Sequence, residues 1–194
     1  MEFLSGVKEK ETWELSALLA EDAAGRMVKT NGAVHDVRDM GSVAFVMLRK
    51  REGLLQCVLE KSETGISAKD FKEGQTLEAC GVMQKNEKAC GGMEMLLREV
   101  KILSQPAEAM PIPVSKWKMN ISLETNLDMR PISLRNLRER AKFKIQEGVV
   151  RGFREFLSAQ GFTEIHTPKI GAKGAEGGAN IFKLEYFHRP AVLQ

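Results

Sequence analysis

Four of the six prolines in this 194-residue chain, Pro106, Pro111, Pro113 and Pro131, fall between Ser104 and Ser133. Proline fixes φ and lacks a backbone N–H, so neither a helix nor a sheet ladder runs unbroken through a stretch this rich in it. The apolar pattern changes period there as well, from short runs upstream to a repeat every three or four residues downstream. Residues 105–133 therefore read as a hinge linker between a domain at 1–104 and another at 134–194.

From residue 27 to 104, apolar runs are broken by Asp39-Met40-Gly41, Glu52-Gly53, Lys72-Glu73-Gly74 and Gly91-Gly92, a spacing that suits strands joined by turns. Five strands are expected near 27–37, 43–49, 54–60, 76–85 and 93–103. Residues 67–71 have room for a short helix with Ser67 as its N-cap, and residues 12–19 for another packed on the strands. A helical piece between the third and fourth of five strands is the order of the OB-fold, a small Greek-key barrel that often binds oligonucleotides.

Downstream, Leu134, Leu137, Ala141, Ile145, Val149, Phe153 and Leu157 form one stripe of a long helix, and Gly161 supplies a left-handed stop. Strand-like residues 162–167 follow, ended by Pro168. A glycine-rich loop at 171–178 then leads to a second apolar run at 181–187. The fold class is α+β.

Composition narrows the chemistry. A formal charge of +3 is too small for a uniform polyanion-binding coat, so nucleic-acid binding has to rest on local patches. Three cysteines, none at the two-residue spacing of a zinc knuckle or redox pair, suit a reducing compartment. No run approaches the ~20 apolar residues of a membrane span, and the N-terminus has no leader pattern, so a cytosolic, uncleaved protein is expected. His35, His166 and His188 are scattered. Nucleophile-elbow, phosphate-loop and dinucleotide fingerprints are missing from the sequence.

On the second strand, Ala44, Val46 and Leu48 alternate with Phe45, Met47 and Arg49, and the charge of Arg49 marks its set as the outward one. On the third, Gln56 shares a face with Leu54, Val58 and Glu60. An outward aromatic beside an amide is what an unpaired base needs, because the ring stacks and the amide both donates and accepts. The plainer alternative is a core Phe45 and a merely solvated Gln56. Arg38, Arg49, Lys50 and Arg51 add positive charge at the strand ends. In the glycine-rich loop Glu176 stands among small residues. It is either part of a surface loop or a carboxylate that closes over an ammonium group.

Gly161-Phe-Thr-Glu-Ile-His-Thr-Pro168 after an amphipathic helix resembles motif 1 of the class II aminoacyl-tRNA synthetases. Ala175-Glu-Gly-Gly-Ala-Asn-Ile-Phe182 with Tyr186-Phe187 resembles the aspartyl members of the archaeal and eukaryotic type. Gly32-Ala-Val-His-Asp-Val-Arg38, Ala44-Phe-Val-Met-Leu-Arg49 and Leu55-Gln56 are similar to their anticodon-binding barrel, and Leu123-Glu-Thr-Asn-Leu-Asp-Met-Arg130 to their hinge. The resemblance implies that Phe45 stacks on an anticodon base and Gln56 hydrogen-bonds one, with Glu94 a further candidate for base reading; Arg49 is expected in the same anticodon contact. It implies that Glu176 lies near the ammonium of bound aspartate and Pro168 at a homodimer interface. The partners so implied are tRNA-Asp, aspartate and ATP with Mg²⁺ in the complete enzyme.

The sequence departs from that family at several points. Motifs 2 and 3, which hold ATP, lie downstream of Gln194 in the family, so these 194 residues alone are expected to form no adenylate and to need no cofactor. Ala175 stands where Ser or Thr is common, and the chain closes Ala191-Val-Leu-Gln194 where an additional Ala is usual. Two other readings fit the same residues: a non-catalytic RNA-binding module, and a partner that dimerises with a full-length synthetase through the motif 1 helix.

Overall fold

The computed structural model describes residues 11–172 and 181–193. The chain forms two compact units, one up to Lys142 and one from Phe143. The five expected strands of the first are present: β1 (Met27–Asp39), β2 (Val43–Arg49), β3 (Leu54–Glu60), β4 (Thr76–Lys85) and β5 (Met93–Ser104).

Their pairing closes a barrel in the order β1-β2-β3-β5-β4. β1 is long enough to serve two neighbours, pairing with β4 through Met27–Ala33 and with β2 through Ala33–Asp39. β3 and β5 run parallel, with Gln56 opposite Glu94 and Val58 opposite Leu96, and the other neighbours are antiparallel. Side chains alternate as the period-two pattern requires. Ala44, Val46, Leu48, Leu55, Cys57, Leu59, Met95 and Leu97 fill the interior. Burial pushes the Cys57 thiol up, so it stays a protonated core residue.

The helix α1 (Leu15–Leu18) adds Leu15 and Leu18 to this core, and α2 (Lys61–Thr64) follows β3 directly. The turn expected at 67–71 is a 3₁₀ helix over Ala68–Asp70. The Ser67 hydroxyl accepts from the Lys69 N–H at 3.3 Å, and the Asp70 carboxylate accepts from the Ser67 N–H at 2.9 Å.

The proline-rich segment joins the same unit. Ile112 and Val114 are buried in it, and two short helices follow, α3 (Leu123–Asp128) and α4 (Arg130–Ser133). Ser122 caps the first and Pro131 sits in the opening turn of the second.

The long helix α5 spans Leu137–Ala159. It starts after Leu134, because Asn136 is its N-cap: the Asn136 Oδ1 accepts from the Arg138 and Glu139 N–H groups at 3.0 and 3.1 Å. At its C-terminus Gly161 has φ +83°. The Gly161 N–H donates to the Ser158 carbonyl and the Phe162 N–H to that of Leu157, a Schellman closure.

Beyond the helix, β6 (Ile170–Gly171), β7 (Lys183–Tyr186) and β8 (Arg189–Leu193) form a sheet ordered β6-β8-β7. Phe187 and His188, at φ 48° and 59°, make the two-residue turn of its hairpin. Residues 162–167, expected as a strand, join no ladder. They are exposed and have no described strand beside them to take their N–H and C=O groups. No described helix is long and apolar enough to cross a membrane.

Candidate nucleic-acid interface

The outer face of β2, β3 and β5 can be built from the strand registers alone. One row across it runs Arg38, Phe45, Val58, Leu96 and Val82. The next, two residues along each strand or about 7 Å away, runs Asp36, Met47, Gln56, Glu94 and Gln84. An apolar row carrying an aromatic ring thus lies beside a polar row. Phe45 is half-buried on this outer face.

The face of Glu94, which the mixed sequence around it does not fix, is settled by Met93 and Met95: both point inward, so Glu94 points outward. It is only 5% exposed, because three amides surround it. Gln56 Nε2 donates to Oε2 at 2.7 Å, Asn86 Nδ2 to the same oxygen at 2.8 Å, and Gln84 Nε2 to Oε1 at 2.8 Å. An ionised carboxylate only accepts, so each amide must turn its NH₂ group inward. Asn86 Oδ1 is used by the Lys88 N–H at 3.0 Å. Among the described residues, the side-chain carbonyls of Gln56 and Gln84 have no partner and remain open acceptors.

Arg49 lies at the end of β2, opposite Ala33 and Leu54, in other company. Burial first, then Arg135 and Arg140, hold its guanidinium below the usual arginine range, against the attraction of Glu73. Next to it His35 is the extra residue of a bulge in β1 between Val34 and Asp36. His35 is 5% exposed and its Nδ1 has no partner among the described residues. Burial, helped by the Arg49 charge, pushes its pKa down. Burial and then Asp36 push the Glu73 carboxyl up, opposed by Arg49, the Ser115 N–H and Lys116.

The structure therefore brings Gln56 and Glu94 together with Phe45 in the adjacent row, and sets Arg49 apart beside Arg135, Arg140 and Glu73. Pro168 is exposed at the end of the unpaired segment. Glu176 and Gln194 lie outside the described residues. Sequence reasoning missed Gln84 and Asn86. Gln84 was within reach of the alternation, since Met83 next to it is core, but its neighbourhood with Glu94 depends on the β4–β5 register.

Comparison with known proteins agrees with this geometry. Residues 28–103 match the OB-fold nucleic acid binding domain and residues 122–192 match the tRNA synthetases class II (D, K and N). The aspartate–tRNA(Asp/Asn) ligase of Deinococcus radiodurans is 41% identical over 169 residues, covering 87% of this chain and 38% of that protein. The aspartate–tRNA(Asp) ligase of Pyrococcus horikoshii is 35% identical over 181 residues, covering 90% and 41%. The structure of asparaginyl-tRNA synthetase from Pyrococcus horikoshii complexed with asparaginyl-adenylate superposes with a TM-score of 0.75 at 27% identity, covering 90% of this chain and 41% of its own. The chain thus spans about 40% of the length of the curated relatives it matches. The chain thus carries an OB-fold nucleic acid binding domain over residues 28–103, followed over residues 122–192 by a segment that matches the class II tRNA synthetases of the D, K and N type.

Proposed function

We propose that the chain is the N-terminal portion of an aspartate–tRNA ligase, and that its barrel reads the anticodon loop of tRNA-Asp. The observation that carries this is the pairing of an outward aromatic with an oriented amide, Phe45 in one row and Gln56 held by Glu94 in the next. Phe45 stacks on a base. Glu94 fixes which end of the Gln56 amide faces out, so the free Oε1 accepts from a base N–H. A base amine reaches Glu94 itself by displacing one of the three amides. Arg49 supplies positive charge from the end of β2.

In the complete enzyme, aspartate and ATP with Mg²⁺ form an aspartyl-adenylate and the aspartyl group passes to the tRNA. Glu176 is assigned to the aspartate ammonium by resemblance. The described residues gather no three metal-ligating side chains, and none of them is assigned to Mg²⁺ or ATP. The helix α5 and Pro168 are assigned to a homodimer contact. That assignment is supported by the exposed apolar residues Ile145, Val149 and Phe153 along α5. A cytoplasmic location follows from the activity.

The test is a competition for the purified chain between the tRNA-Asp anticodon stem-loop and the same stem with a scrambled loop. Preference for the native loop by tenfold or more is expected. Equal binding of the two loops would return the barrel face to an ordinary solvated surface.

A further inference from the structure

We infer that Trp117 and the cations around it form a second RNA contact, separate from the Phe45–Gln56 face, which takes the phosphodiester backbone and an unstacked base of the same RNA. The inference rests on the RNA-binding reading above and extends it to the segment before α5 and the first turn of that helix.

Trp117 is 75% exposed, a poor return for so large a ring unless it meets a partner. It is nevertheless held in place. Asn136, 3% exposed, donates from Nδ2 to the Val114 carbonyl at 2.9 Å and to that of Lys116 at 2.7 Å. The same side chain caps α5, so the backbone leading into Trp117 is fixed to the first turn of that helix. The Arg138 guanidinium lies 6.0 Å from the indole centroid.

Lys116 and Lys118 flank Trp117 in the chain, Arg138 lies near its ring, Arg135 precedes the anchoring Asn136 and Arg140 stands in the first turn of α5; none of the five makes an ion pair among the described residues. Lys142, a little further along the helix, shows the contrast, paired with Glu139 at 2.6 Å. Arg135 and Arg140 also repel Arg49. Five cations, with the carboxylates Glu73 and Glu139 near Lys116 and Arg138, outnumber the acids about an exposed, anchored indole and so supply the two parts of a single-stranded nucleic-acid contact: cations for phosphates and a ring for a base. An acidic protein segment would satisfy the charges but leave the indole unused.

The test uses the full chain, a tRNA-Asp transcript and a variant set. Trp117→Ala is expected to weaken transcript binding about fivefold or more. The triple variant Lys118→Gln, Arg135→Gln, Arg138→Gln is expected to lower the slope of log affinity against log salt by about 2, at 0.7–0.9 per phosphate contact. Discrimination between native and scrambled anticodon loops stays unchanged in both. Tryptophan emission falls when RNA binds, and this quench disappears in Trp117→Phe, where only Trp13 remains. Unchanged affinity and slope, or a quench that survives Trp117→Phe, overturns the inference. So does polyglutamate binding as tightly as RNA at equal salt. Phe45→Ala in parallel separates the two claims: if it leaves loop discrimination intact, the base-reading proposal fails on its own, whatever the Trp117 variants show.

Discussion

A carboxylate that is 5% exposed and accepts from Gln56, Gln84 and Asn86 has exchanged its water for three amide donors. Hydrogen bonds to a charged group contribute about 1.5–3 kcal/mol each. Because the three amides are only partly buried and regain water, Glu94→Ala is expected to cost about 2–3 kcal/mol in urea unfolding, not the sum. The same variant frees Gln56 to flip and so weakens binding of the native loop. His35 gives a pH signature. Its ordinary pKa of 6.5 is lowered in the native state by burial and by Arg49, so in the window just below 6.5 the unfolded chain takes the proton first. Stability from this residue is therefore complete above 6.5 and falls as the pH drops beneath it. Glu73 works in the opposite sense, its raised pKa removing stability as pH rises above 4.5. Unfolding midpoints for wild type and His35→Asn, compared at about pH 7.5 and 5.5, isolate the histidine: the variant should lose less stability on acidification.

At the scale of elements, the β4–β5 pair depends on one glycine. A Cβ on Gly81 would press into the Leu96 carbonyl and come within 2.8 Å of Met95 Cγ, where the register shifts between Cys80 and Gly81. Backbone cannot yield as a side-chain tip can, so Gly81→Ala is expected to cost about 2–3 kcal/mol, read from the thermal midpoint. The five strands were legible because turn residues bracket every run, and on β2 the inward set alternates strictly as Ala44, Val46 and Leu48. β1 runs to Asp39, beyond the expected end at 37, because pairing with Phe45 and Ala44 continues the ladder, a tertiary fact. The expected strand at 162–167 failed for the converse reason. Its composition is strand-like, but a strand exists only where a partner accepts its hydrogen bonds. The position of Glu94 was illegible for a third reason. Met93-Glu94-Met95-Leu96-Leu97 carries two competing apolar patterns, and only the parallel register with β3 places Glu94 beside Gln56.

For the whole molecule, resemblance and physics carried different loads. The order of an OB-fold barrel followed by a class II synthetase segment was legible as a family pattern, and the matches over residues 28–103 and 122–192 bear it out. The candidate site was legible only in part. Phe45 and Gln56 followed from alternation, whereas the amide cluster around Glu94 needs three strands in register and a loop residue, Asn86, folded back on them. A net charge of +3 also concealed the separation of Arg49, Arg135 and Arg140 from the polar row, since total charge carries no position. Stacking of the Phe45 ring on an RNA base at the barrel's outer face is read from the dissociation constant of the tRNA-Asp anticodon stem-loop for wild type and Phe45→Ala at one salt concentration. A loss of about 1–3 kcal/mol is expected in the variant, with its unfolding midpoint little changed. Equal affinity for the two proteins would contradict it.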